Sequence, residues 1–245
     1  MGLFSKEECF VCGKKVGALS RTKIKSGEFI CMDCQKMGHP FMHLTGMHRD
    51  QVEAMFAEMK ESEKHFQETQ SGFRKTGRMT LGNSWTFYDN MQTGEFVLET
   101  PETKNYPNHF VYQMKEVRPF DTADKFLSGL STFDNPDQAR QKYFDLISVE
   151  EKKGSDEKTN AWILRIPYNR EFMKIEIKFP GSMEEKDVRL MQSTIQAVIG
   201  SYNTGYNLTP TKLEEIQKAG KSLGDDAAIN STAQAAQKIL SSLVK

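Results

Sequence analysis

The chain has 245 residues, enough for one sizeable core with a small appendage or for two modest domains. Its 33 lysines and arginines balance 33 aspartates and glutamates, so net charge exerts no general pull toward nucleic acid or an anionic membrane. With 38% hydrophobic and 27% charged residues, and no apolar run near the roughly 20 residues that cross a bilayer, the composition is that of a polar globular protein.

The opening "MGLFSKEECF" carries early acids and no long apolar run, which does not read as a secretory signal. Lys6 stands where a myristoylation site needs Ser or Thr. The expected location is therefore cytoplasmic, where paired cysteines bind metal more often than they form disulfides. All four cysteines of the chain follow at once, as Cys9-x2-Cys12, eighteen residues, and Cys31-x2-Cys34. A two-residue gap lets both sulfurs of a pair converge on one ion at about 2.3 Å, and two such pairs complete a tetrahedron. Gly13 after Cys12 is placed to take positive φ and turn backbone N–H groups toward the sulfurs. A redox dithiol needs one pair, not two at this spacing, so structural zinc is the expected cofactor. A filled four-thiolate site leaves no position for water, which speaks against zinc hydrolysis.

Between the pairs, residues 14–30 read as two short strands, with turns at Gly17 and at Ser26-Gly27. "CMDCQKMG" reads as a short helix ended by Gly38 and Pro40. Lys14, Lys15, Arg21, Lys23 and Lys25 occur with no acid among residues 13–27. They are the candidate nucleic-acid contacts, or else they neutralise the thiolates together with Glu7, Glu8, Glu28 and Asp33. Phe10 and Phe29 are the nearby aromatics, in the small core of the module or available to bases.

The run "CFVCGKKVG…GEFICMDC", with its "MGLF" opening, resembles an uncharacterised zinc-ribbon family at the N-terminus of bacterial and phage proteins. It is also similar, over the cysteine module alone, to the ClpX-type zinc-binding domain. The first resemblance implies a structural zinc; the second implies dimerisation and adaptor binding.

His39, His43 and His48 raise the idea of a second metal, but Pro40 and Gly46 interrupt any helix carrying them, which leaves them as solvent-facing or loop histidines. From Arg49 to Gln70 the pattern is helical, with Val52, Met55, Phe56, Met59 and Phe66 on one stripe. "SGFRKTGRM" reads as a polar break. "SWTFYD", "EFVLE" and "HFVYQMKEV" then read as three antiparallel strands, with Phe110, Tyr112 and Met114 alternating on one face. Residues 118–141 read as an insertion with two short helices. "YFDLISVEE" is a strand, and "AWILRIPYN" and "EFMKIEIKFPG" form a hairpin about Asn169-Arg170. In the latter strand Met173, Ile175, Ile177 and Phe179 share one face. Ser182-x-x-Glu185 reads as a capping box opening a helix with Val188, Met191, Ile195, Val198 and Tyr202, stopped near Gly200. Two more helices are expected in the tail, the last with a seam of Ile229, Ala233, Ala236, Leu240 and Leu243.

The expected fold class is α+β. A zinc ribbon or treble-clef module (1–40), a linking helix (41–75), an antiparallel sheet domain closed by a helix (76–203) and a helical tail (204–245) follow in order. The sheet domain resembles the pleckstrin-homology-like layout that such zinc-ribbon proteins carry next. Relatives of that kind have a glycine-rich apolar segment between the strand groups, where this chain has the polar "TADKFLSGLSTFDNPDQARQ".

No Walker loop, dinucleotide fingerprint, His-Glu-x-x-His or Gly-x-Ser-x-Gly occurs, and His65 and His109 are isolated in the sequence. The reading is a non-enzymatic cytoplasmic interaction or adaptor protein, with an unidentified protein partner. The alternatives are a nucleic-acid binder using the basic hairpin, or a peripheral membrane protein.

Overall fold

The structure is a computed structural model that describes residues 6–81, 83–119, 146–154 and 160–203. The helices expected in the insertion and in the tail lie outside these residues, apart from the insertion's first positions.

Residues 7–31 form two small hairpins. Strand β1 (Glu7–Glu8) pairs with β2 (Lys15–Val16) around the first cysteine pair, and β3 (Arg21–Lys23) pairs with β4 (Phe29–Cys31) around Ser26-Gly27. Two strands were expected between the cysteine pairs. Three are present, because the 3-10 turn Ala18–Ser20 separates β2 from β3 and sends β2 back to β1. The chain passes from β4 straight into helix α1 (Met32–Gln35).

Helix α2 (Arg49–Thr69) buries Val52, Met55, Phe56, Met59 and Phe66, the stripe read from the sequence. Each contributes about 2 kcal/mol by leaving water. Its N-terminus is held by His48, whose backbone N–H donates to Gln51 Oε1 at 2.8 Å, and by Ser26 Oγ, which accepts from Arg49 N at 3.1 Å.

A four-stranded antiparallel sheet follows in the order β5 (Arg74–Leu81), β6 (Asn83–Asn90), β7 (Glu95–Glu99), β8 (Tyr112–Gln113). Strand β5 occupies the segment expected to be a polar break. Its inward polar groups have cross-strand partners. Arg74 Nε lies 2.8 Å from the fully buried Asp89 carboxylate on β6, and the Thr76 hydroxyl donates to the same carboxylate. Paired polar residues replace the apolar alternation that would have announced a strand. Strand β8 is shorter than expected, although Phe110, Tyr112 and Met114 are all buried. The backbone N–H groups of His109 and Val111 donate to Glu63 Oε2 (2.6 Å) and Ser62 Oγ (2.8 Å) of α2 instead of to a neighbouring strand.

A second antiparallel sheet has β10 (Ala161–Ile166) between β9 (Ser148–Lys152) and β11 (Ile175–Pro180). Ile175, Ile177 and Phe179 face inward, as the alternation predicts. Helix α3 (Glu185–Asn203) closes the body. It does not open at Ser182. Residues 181–183 are held by the end of the β10–β11 hairpin, with Gly181 N donating to Asn160 O (2.9 Å) and Trp162 Nε1 donating to Met183 O (3.1 Å). The helix runs through the buried Gly200 and stops just beyond it, at Asn203. Trp85 of the first sheet meets Phe179 of the second with ring centroids 5.1 Å apart, while Gln192 and Gln196 of α3 both donate to Ile147 O.

The cysteine module is joined to this body along residues 39–48. Met42 bridges to Met173, His43 N donates to Phe172 O (2.8 Å), and Lys174 N donates to Phe41 O (2.9 Å). Buried apolar residues from Cys9 through Val52 and Phe87 to Ile199 form one cluster.

Candidate metal centre

The four cysteines are brought together from two turns of similar design. After Cys9 the chain doubles back: Gly13 N donates to Cys9 O (2.8 Å) and Cys9 N donates to Lys14 O (3.0 Å). Gly13 takes φ +73°, the left-handed conformation expected of it. A bridge between Cys9 and Phe29 lays this turn against β4, so Cys31 and Cys34 at the start of α1 arrive beside it.

The four Sγ atoms lie within 4.8 Å of one another. Cys12 Sγ and Cys31 Sγ are 3.8 Å apart, which is the edge of a tetrahedron with metal–sulfur bonds of about 2.3 Å. Cys9, Cys31 and Cys34 are buried and Cys12 is exposed. Backbone N–H groups address the sulfurs: Cys31 N donates to Cys9 Sγ at 3.3 Å and Cys34 N donates to Cys31 Sγ at 3.4 Å. Such donors share thiolate charge. Burial pushes the Cys9 thiol up, but the backbone N–H groups of Cys31, Cys12 and Val11 outweigh it and bring it down to about 7. Burial and the neighbouring thiols push Cys34 up. A bound cation would displace the thiol protons, that of Cys34 included. The donor set fits zinc. Cys9, Cys12, Cys31 and Cys34 would hold the ion, which would supply a structural cross-link with no open coordination position.

The basic residues divide. Lys14 Nζ lies 3.2 Å from Asp33 Oδ2, and this pair raises its pKa, with smaller contributions from Cys31 and Cys12. The Arg21 guanidinium sits 4.5 Å from the Phe29 ring centroid and the Lys23 ammonium 6.0 Å from it. Lys15 and Lys25 are exposed on the same hairpins.

Among the described residues, the four cysteines are the one group of three or more His, Cys, Asp and Glu side chains placed to hold an ion. The three histidines do not converge. His43 and His48 are exposed. His39, one of the histidines expected in a loop or facing solvent, lies in a loop and is buried at the junction with the body. Its Nδ1 accepts from Phe41 N (3.0 Å), which fixes the proton on Nε2, 3.0 Å from the Tyr112 hydroxyl. Burial, with the Arg170 charge nearby, holds its pKa well below 6.5. His65 and His109 are not isolated either. His65 Nε2 is 2.9 Å from Glu95 Oε1, and His109 Nδ1 is 2.8 Å from Glu63 Oε2. These partners lie 30 and 46 residues away, beyond the reach of motif spacing.

The fold and site together define an N-terminal zinc-ribbon-like module attached to a mixed α/β body of antiparallel sheets. Residues 7–62 match a family described as a domain of unknown function, DUF4428, which spans the four cysteines and reaches into α2. No curated protein and no solved structure matches the chain.

Proposed function

We propose that this chain is a non-enzymatic interaction or adaptor protein of bacterial or phage type, in which a structural zinc holds a protein-docking surface rigid. The observation that carries this reading is the position of two exposed apolar side chains. Leu19 is 92% and Met32 55% exposed, and both belong to the module that the four cysteines staple. Large apolar groups held in water on a cross-linked scaffold lose little entropy when a partner covers them. Exposed Lys15, Lys23 and Lys25 give the same module a basic rim, suited to an acidic partner surface.

The body supports a pleckstrin-homology-like reading as well: four antiparallel strands, three more, then one helix packed across both groups. In this reading it is a second binding platform. The nucleic-acid alternative draws less support, since Phe29, the aromatic beside the basic hairpin, is already covered by Arg21 and Lys23 and is not open for base stacking. For the membrane alternative, no helix among the described residues is long and apolar enough to cross a bilayer.

The test is affinity capture from a native lysate with the wild-type chain and with Leu19→Asp/Met32→Asp, after nuclease treatment. A protein retained by the wild type and lost from the double variant, at equal zinc content, supports the reading. Capture of the same proteins by both forms, or nuclease-sensitive capture alone, overturns it.

A further inference from the structure

The body contains a cavity of about 390 Å³ that no motif announces. Its floor and walls are Leu98, Phe110, Tyr112, Tyr106 and Pro40, and its polar rim includes Glu99, His109 and Lys104. The volume lies within the range of small-ligand pockets, about 300–1,000 Å³. The walls are already fixed. Tyr112 stacks on Phe96 (4.8 Å), packs edge-on to Phe110 (4.8 Å), and is tied by its hydroxyl to His39. The loop that carries the rim is held by reciprocal bonds: Thr100 N donates to Thr103 Oγ1 (2.7 Å) and Thr103 N donates to Thr100 Oγ1 (3.2 Å).

The polar groups define what the cavity accepts. Glu63, outside the cavity, takes both the backbone N–H of His109 and its Nδ1 at 2.8 Å. A carboxylate on Nδ1 fixes a ring proton there, so that in the neutral ring Nε2 is the acceptor. That Nε2 lies 3.8 Å from Glu99 Oε1, too far for a hydrogen bond between them. Glu99 Oε2 is occupied by the Tyr88 hydroxyl at 3.0 Å. Two acceptors thus stand side by side above an apolar floor, and one of them belongs to a carboxylate.

We propose that this cavity binds a small organic cation, a primary ammonium on a compact apolar or aromatic body. The ammonium donates to Glu99 Oε1 and His109 Nε2 at once, and the body lies against Leu98, Phe110 and Tyr112. Lys104, exposed on the rim, and Arg170, 5.4 Å from the Phe110 ring centroid behind the wall, are the nearby positive charges that would instead favour an anion. The site is independent of the metal centre and of the docking reading.

The experiment is titration of the zinc-loaded full chain with 2-phenylethylamine and with phenylacetate, followed by NMR and calorimetry. Saturable binding of the amine, at least about tenfold tighter than phenylacetate, is expected. Resonances of residues 98–112 should shift. Glu99→Gln removes the charge and weakens the amine about tenfold, and Glu99 is exposed enough for the variant to keep its fold. Leu98→Trp fills the floor and abolishes binding; if that variant does not fold, the Glu99→Gln comparison decides. Equal or tighter binding of phenylacetate, amine binding unchanged in Glu99→Gln, or no saturation with the amine overturns the proposal.

Discussion

At the scale of single residues the four-cysteine cluster is the most local feature of the chain, and the convergence of its sulfurs was legible for that reason. Cys-x2-Cys spacing is fixed by one turn, and Gly13 adopts the positive φ that the turn requires. Replacing Cys31 with Ser removes one ligand and takes bound zinc from one per chain to none after dialysis, as read by elemental analysis. Gly13→Ala forces a Cβ into left-handed backbone at about 1–2 kcal/mol. Zinc affinity should fall about tenfold in competition with a chromophoric chelator, and unchanged affinity would show that the turn relaxes freely. The placement of His39 was not legible, because Tyr112, its partner, lies 73 residues away. Only the folded junction brings them together and removes the imidazole from water.

That histidine makes stability depend on pH. Its folded pKa is depressed below the 6.5 of an exposed imidazole, so below that value the unfolded chain binds the extra proton and the folded chain does not. Stability contributed by neutral His39 is therefore present above pH 6.5 and is lost as pH falls beneath it. The loss is about 1.4 kcal/mol per pH unit until the folded pKa is reached. Urea denaturation of the wild type should show this decline between about pH 6.5 and 5.5, and His39→Gln should flatten it. An identical slope in the variant would place its origin elsewhere.

At the scale of elements, the apolar faces of α2 and β11 were legible, while β5, with its satisfied polar interior, and the short extent of β8 were not. Strand β11 shows Ile175, Ile177 and Phe179 at alternate positions. Strand β5 hides its register in Arg74 and Thr76, whose inward groups meet Asp89. Helix α3 was expected to stop near Gly200, where glycine marks a C-cap, and it ends just beyond, at Asn203. Near the end of α3 a small substitution meets a crowded site. A Cβ on Gly94, which has φ +72°, would stand 2.1 Å from Tyr202 Cζ. Gly94→Ala should destabilise the chain by about 3 kcal/mol, from overpacking and left-handed strain together. Adding Tyr202→Ala should recover the overpacking part in the same thermal melts. No recovery would mean that the β6–β7 turn, not the helix, bears the cost.

At the scale of the whole molecule, the order of a four-cysteine module followed by antiparallel sheets was legible, because cysteines and alternating strands occupy separate stretches of the chain. The way the parts join was not, since it depends on backbone bonds such as His43 N to Phe172 O and on the Met42–Met173 bridge. These bonds attach residues 39–48 to the sheets, so removing the ion should loosen the two hairpins while the body persists. Hydrogen exchange after chelation should show amides of residues 7–31 losing protection and those of β10 and β11 keeping theirs. Loss in both regions at once would mean that module and body fold as one unit.

The most direct measurement is the zinc content of the intact chain, purified and refolded under reducing conditions with excess zinc and then dialysed. The account requires one tightly held ion per chain, absent when Cys31 is replaced by Ser. Wild-type chain that emerges folded and free of metal would contradict it.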